Sequence, residues 1–181
     1  TLSKFSIAAS SGQIAWNQIM LNFSKTSAVL VASSGMQFLQ DGVDIGPSGS
    51  GLVAFTSTDS HDMGVGTTSG TIIITANAQT TELLAGTGGH VYELKASVTT
   101  TGGTSNSVTV SFNRPSSHVV PNTSLVAETG NTQSLVWSDR VGDGNMGGSN
   151  GTVTVHSTTT PDWNNDYLVS GLPLNGQSLS L

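Results

Sequence analysis

The strongest constraint on this chain is an apolar alternation of period two that recurs from one end to the other. Tyr92, Leu94, Ala96 and Val98 share one face of a run whose other face carries Glu93, Lys95 and Ser97. Phe5 and Ile7 alternate with Lys4, Ser6 and Ala8, and Ile19, Leu21 and Phe23 with Met20, Asn22 and Ser24. Val108, Val110 and Phe112 alternate with Ser and Thr, as do Val153 and Val155. Successive side chains of a strand point to opposite faces, so the pattern predicts strands with one face on a core and one in water.

Glycine- and serine-rich stretches interrupt these runs at 10–12, 46–51, 64–70, 86–89, 101–103 and 142–151, where turns are expected. Only 79–85 reads as a helical turn, and it is short. About ten to twelve strands result, which is more than a single open sheet usually holds. The expected fold class is therefore all-β: a two-sheet antiparallel β-sandwich, jelly-roll or immunoglobulin-like. Two prolines and polar neighbours mark a long connection at 113–122. Residues 123–181 carry too few apolar strands to bury a core of their own, so 1–181 is expected to form a single sandwich domain.

Composition says where the outward faces get their side chains and which partners are excluded. The chain has 27 Ser and 24 Thr in 181 residues, and only 9% of it is charged, against roughly 25% in an average domain. Thr suits a pleated surface, so the hydroxyls are expected on the outer strand faces. Five Lys and Arg spread over the whole length make no basic patch, which excludes a nucleic-acid binder. No apolar run approaches a membrane span, and no A/E/K/L/R-rich stretch suits a coiled coil. A net charge of −6 with 35% hydrophobic residues is not the signature of disorder. The absence of cysteine removes thiol catalysis, zinc–cysteine sites and disulfides. Starting at Thr1 without a charged-then-apolar leader, the chain reads as a mature product after signal-peptide removal or as an excised piece.

No catalytic constellation emerges. The four histidines (His61, His90, His118 and His156) are never at ligand spacing from one another, and His61 between Asp59 and Asp62 reads as a polar loop. Gly49-Ser50-Gly51 lacks the following helix of a nucleophile elbow. Glu82, Glu93 and Glu128 do not pair as a glycosidase needs. An enzyme is not expected.

The most ligand-like stretch carries Asp139, Asp143 and Asn145, whose hard oxygens, among glycines that let carbonyls turn inward, suit calcium. Calcium is the one cofactor these residues bring into view; Asp41-Gly-Val-Asp44 is a second, weaker candidate. Trp16 and Trp137 lie in apolar runs and are expected in the core. Trp163 with Tyr167 is the best candidate for stacking on a sugar ring, and glycans are the partner that pair would imply. Sequons occur at Asn22, Asn122 and Asn150.

The C-terminal third is the most distinctive. Leu135-Val-Trp-Ser-Asp139, Val155-His-Ser157, Asp162-Trp-Asn-Asn-Asp-Tyr-Leu-Val-Ser-Gly-Leu-Pro173 and Gln177-Ser-Leu-Ser180 follow in that order. This succession resembles the tail of secreted β-sandwich surface proteins of Patescibacteria, the candidate phyla radiation. Lys4-Phe-Ser-Ile-Ala-Ala-Ser10 with residues 14–23 resembles their first strands, while the insertion at 142–150 departs from their shorter spacing. The resemblance implies a cell-surface or appendage protein and names no activity.

Two functions follow as expectations. The first is a structural subunit of an extracellular filament, pilus-like fibre or surface layer, a homopolymer of copies of this chain. Residues 1–9 form an alternating terminal strand without a turn residue. Such a strand is suited to completing a neighbour's sheet as a donor, with Leu2, Phe5 and Ile7 filling pockets. Pairing within its own domain is the alternative fate of the same strand. The second function is a carbohydrate-binding or adhesive surface module using Trp163 and Tyr167.

Overall fold

A computed structural model describes residues 1–57, 68–76, 83–113, 135–138, 164–165, 169–176 and 178–181. They form an all-β structure of twelve strands in two antiparallel sheets, as the alternation predicts. Sheet A has the order β1-β8-β3-β4, from β1 (Ser3–Ile7), β8 (His90–Thr100), β3 (Val29–Gln40) and β4 (Val43–Asp44). Sheet B is built around the thirteen-residue β2 (Gln13–Lys25). On one side β2 pairs with β6 (Ser69–Ala76) and β7 (Leu83–Gly86), with β5 (Val53–Ser57) beyond β6. On the other it pairs with β9 (Ser107–Ser111) and β10 (Leu135–Ser138), which are flanked by β12 (Ser178–Ser180) and β11 (Asn164–Asn165). The chain passes from sheet A to sheet B and back as it goes from β1 to β3. Strand β8 then returns between β1 and β3, and β6 between β2 and β5. That winding is of the jelly-roll kind.

The segment 79–85, read as a helical turn, contributes residues 83–85 to β7, where Leu83 and Ala85 are buried. Four residues in register with β2 outweigh a weak local preference, because Trp16↔Leu83 through Gln13↔Gly86 gives each residue a ladder partner.

The inner faces meet in one cluster drawn from both sheets. At its centre Tyr92 stacks on Phe38 with ring centroids 5.5 Å apart, and Trp16 meets both rings edge-on. The Trp16 indole N–H donates to the Tyr92 hydroxyl at 2.8 Å, satisfying two polar groups that would otherwise be stranded. Burial pushes the Tyr92 hydroxyl up to about 12, an effect the Trp16 bond partly offsets. Trp137 is buried in the same cluster, as expected for both indoles.

Strand β2 departs from simple alternation. Trp16 pairs with Trp137 and Gln18 with Val136, leaving Asn17 as an extra residue in the ladder. This bulge shifts the phase, so that Trp16 faces the core before it and Ile19, Leu21 and Phe23 face the core after it. The outer face of β2 is not wet here, contrary to the half-buried expectation. Ala15, Gln18 and Met20 are buried, and Ala15 joins Val136 and Leu84 in a second, smaller apolar cluster. Both the amide nitrogen and the amide oxygen of Gln18 lack a hydrogen-bond partner.

Candidate assembly surface

A two-sheet sandwich has two seams where the sheet edges face each other, and this chain treats them differently. At the β4/β5 seam it crosses from one sheet to the other and laces them together. The Ile45 N–H donates to the Phe38 carbonyl and the Val53 N–H to the Ile45 carbonyl, at 2.8 and 3.0 Å. Ile45 and Val53 are buried. Asp44 organises the crossover by accepting from the Gly46 N–H at 2.9 Å and the Ser48 hydroxyl at 2.6 Å. Gly49 is obligatory there, since a Cβ would lie 2.0 Å from the Asp44 carbonyl oxygen.

At the β1/β12 seam, among the described residues, no backbone hydrogen bond joins the two edges. An open groove of about 590 Å³ lies between them. Phe5 and Phe112 meet edge to face at 5.3 Å at its floor. Leu174 and Leu179, 40% and 38% exposed, also line it. The backbones of Phe112 and Leu174 exchange hydrogen bonds at 3.0 and 2.7 Å, which holds the C-terminal segment beside β9. Gly176 permits that approach, because a Cβ there would come 1.6 Å from the Val110 carbonyl oxygen. Asn106 ties down the same end. Its side-chain amide donates to the Gly102 and Gly103 carbonyls, and its backbone carbonyl accepts from the Leu181 N–H.

Lys4 and Glu93 are the charged residues of the groove's lining. Lys95 Nζ lies 3.1 Å and Lys4 Nζ 3.7 Å from the two oxygens of Glu93, and Thr1 donates its hydroxyl to the same carboxylate. The hydrogen bond from Lys95, then the charges of Lys95 and Lys4, hold the Glu93 carboxyl below its ordinary range.

The β3–β4 hairpin is held by an acidic side chain. Asp41 turns the chain from β3 to β4 in the left-handed region, φ 49°, followed by Gly42 at φ 88°. Its carboxylate accepts from the Val91 N–H at 2.9 Å and contacts His90 Nδ1 at 2.5 Å. The Val91 bond first, then His90, hold the Asp41 carboxyl below its usual value. Asp41 and Asp44 thus serve turn and crossover, and no group of three metal-ligating side chains occurs among the described residues.

Leu2, Phe5 and Ile7, the expected donor residues, are buried in the chain's own core, and β1 pairs with β8 from Ser3↔Leu94 to Ile7↔His90. In the single chain this strand fills its own sheet. Asp139, Asp143 and Asn145 lie outside the described residues, as do Trp163 and Tyr167. Of the sequons, Asn22 sits mid-strand, paired with Thr71 on one side and Ser111 on the other, a placement unlike the surface loops where glycosylation occurs. Among the described residues no helix is long and apolar enough to cross a membrane. The groove was not legible in the sequence, because Phe5, Phe112 and Leu174 come together only in the fold. The chain matches no protein-family model, no curated protein and no solved structure.

Proposed function

We propose that this chain is a structural subunit that assembles with copies of itself outside the cell, into a filament, pilus-like fibre or surface layer, by β-strand addition. The observation that carries the reading is the asymmetry of the seams: one is laced shut by 45–53, while the other is an open groove beside an edge strand. Edge strands that must stay unpaired are usually covered or interrupted. Here β1 takes the receiving role instead of the donating one, because its own apolar residues are already buried. The low charge density supports the reading, since closely stacked subunits of large net charge would repel. The tail's resemblance to Patescibacterial surface proteins points the same way. The reading carries no catalytic role.

Negative-stain electron microscopy and sedimentation velocity of the purified chain test it. Fibres or lattices, with a concentration-dependent rise in sedimentation coefficient, are expected. A chain that stays monomeric at every accessible concentration refutes it.

A further inference from the structure

The peptide bond between Asn175 and Gly176 stands apart from the rest of the backbone at this seam. The register slips by one residue between Leu174, opposite Phe112, and Ser178, opposite Thr109, so the C-terminal side carries one residue more than β9. A bulge of this kind leaves backbone groups outside the ladder. The N–H of Leu174 donates to the Phe112 carbonyl and that of Leu181 to the Asn106 carbonyl, whereas the N–H of Gly176 donates to no group among the described residues. The Asn175 side chain is exposed and likewise makes no hydrogen bond among them. Because the following residue is glycine, no side chain shields its nitrogen from that carboxamide. Every other described asparagine is followed by a residue with a side chain, and Asn17 and Asn106 are buried as well.

We infer that Asn175 is a site of spontaneous covalent modification, deamidating through a cyclic imide closed by the backbone nitrogen of Gly176. That nitrogen gives its proton to hydroxide and attacks the side-chain carbonyl carbon of Asn175. The bond from this carbon to the amide nitrogen breaks, and ammonia leaves after taking a proton from water. Water then opens the imide ring at one of its two carbonyls. Opening at the first leaves an ordinary backbone with an aspartyl side chain; opening at the second routes the backbone through the side chain as isoaspartate. No oxidant is consumed, and the chemistry stands whether or not the chain assembles. Both products alter the seam. Asn175 lines the groove with Lys4 and Glu93, whose charges cancel, so conversion leaves the lining net negative. Isoaspartate also adds a carbon to the main chain just before Gly176, where even a Cβ would lie 1.6 Å from the Val110 carbonyl oxygen. That segment is pinned on both sides, by Phe112 and by β9, so the added length loosens β12.

The full chain is incubated at mildly alkaline pH, either folded or unfolded in urea. Fragmentation mass spectrometry of its C-terminal peptide follows residue 175, and enzymatic methylation counts isoaspartate. Conversion in the folded chain is expected within about tenfold of the rate in urea, as for backbone that opens at little cost. Slower conversion than that overturns the inference, because the site would then react only on unfolding. Asn175→Gln, which would need a larger ring, should stay unconverted over the same period while matching the wild type in circular dichroism and thermal melting. Equal conversion of that variant rules out the imide. In the isoaspartyl product, amide protection at Leu181 should fall, and in Asn175→Asp, which adds the charge without the extra carbon, it should be kept. Unchanged protection in the product, or an equal loss in Asn175→Asp, refutes the loosening of β12 by a lengthened backbone.

Discussion

Replacing Tyr92 by Phe tests whether the buried Trp16–Tyr92 hydrogen bond holds the two sheets together. The ring keeps its place: its stacking on Phe38 at 5.5 Å and its edge contact with Trp16 at 5.4 Å involve no hydroxyl. What goes is a 2.8 Å bond between two side chains with no exposed surface, leaving the indole N–H of Trp16 buried and unpaired. A stranded buried donor costs about 1–3 kcal/mol. For a chain of this size that lowers the melting midpoint by roughly 2–12 °C, at about 2–4 °C per kcal/mol. Urea unfolding followed by tryptophan fluorescence measures the free energy directly. Pairing Tyr92→Phe with Trp16→Phe in a double-mutant cycle isolates the coupling, expected at about 0.5–3 kcal/mol for side chains in contact. The wild type carries a further mark. Its tyrosine, raised from 10.0 to about 12, contributes stability that is complete below pH 10 and is lost as pH rises towards 12. Tyr92→Phe should flatten that alkaline loss. A variant within about 0.5 kcal/mol of wild type, with the alkaline limb unchanged, would sink the argument.

Gln18→Met should stabilise the chain by about 1–2 kcal/mol, because it replaces a buried amide lacking any partner with an apolar side chain of similar length; a shift of the urea midpoint to lower concentration contradicts this. Gly176→Ala should detach β12 from β9, since the new Cβ collides with the Val110 carbonyl. Amide exchange at Leu181, whose N–H donates to Asn106, is the readout, and unchanged protection would argue against it. Asp41 has a folded-state value below 3.8, so its contribution is present above pH 3.8 and disappears as pH falls through the lowered value. Asp41→Asn keeps a residue that tolerates the left-handed turn and should reduce acid sensitivity below about pH 4 in unfolding titrations.

Alternation made the strands legible wherever one face stays wet. Phe5 and Ile7 in β1, Tyr92 and Leu94 in β8, and Val108 and Val110 in β9 all point inwards as their spacing predicts. It failed in β2, where Asn17 inserts a step and residues 15–21 are buried on both faces. A bulge leaves no mark in a sequence whose polar residue at that place, Asn, is equally at home on an outer face. Leu83 and Ala85 escaped for a different reason: a four-residue strand is defined by its partner, Ile14 to Trp16, far away in the chain. The groove is a relation between Phe5, Phe112 and Leu174, which no local pattern brings together.

The pairing of β1 with β8 and of β2 with β9 and β10 also fixes the order in which this chain can become a protein. As synthesis proceeds from the N-terminus, Phe5 and Ile7 wait for Tyr92, and Phe23 waits for Val110. Until then two apolar strands have no lasting place to go, and closure across such long separations is intrinsically slow. The nascent chain therefore emerges as an extended, incompletely satisfied polymer that must be shielded from its neighbours. The same delay keeps it pliant: sheet B cannot close around Phe23 before Val110 exists.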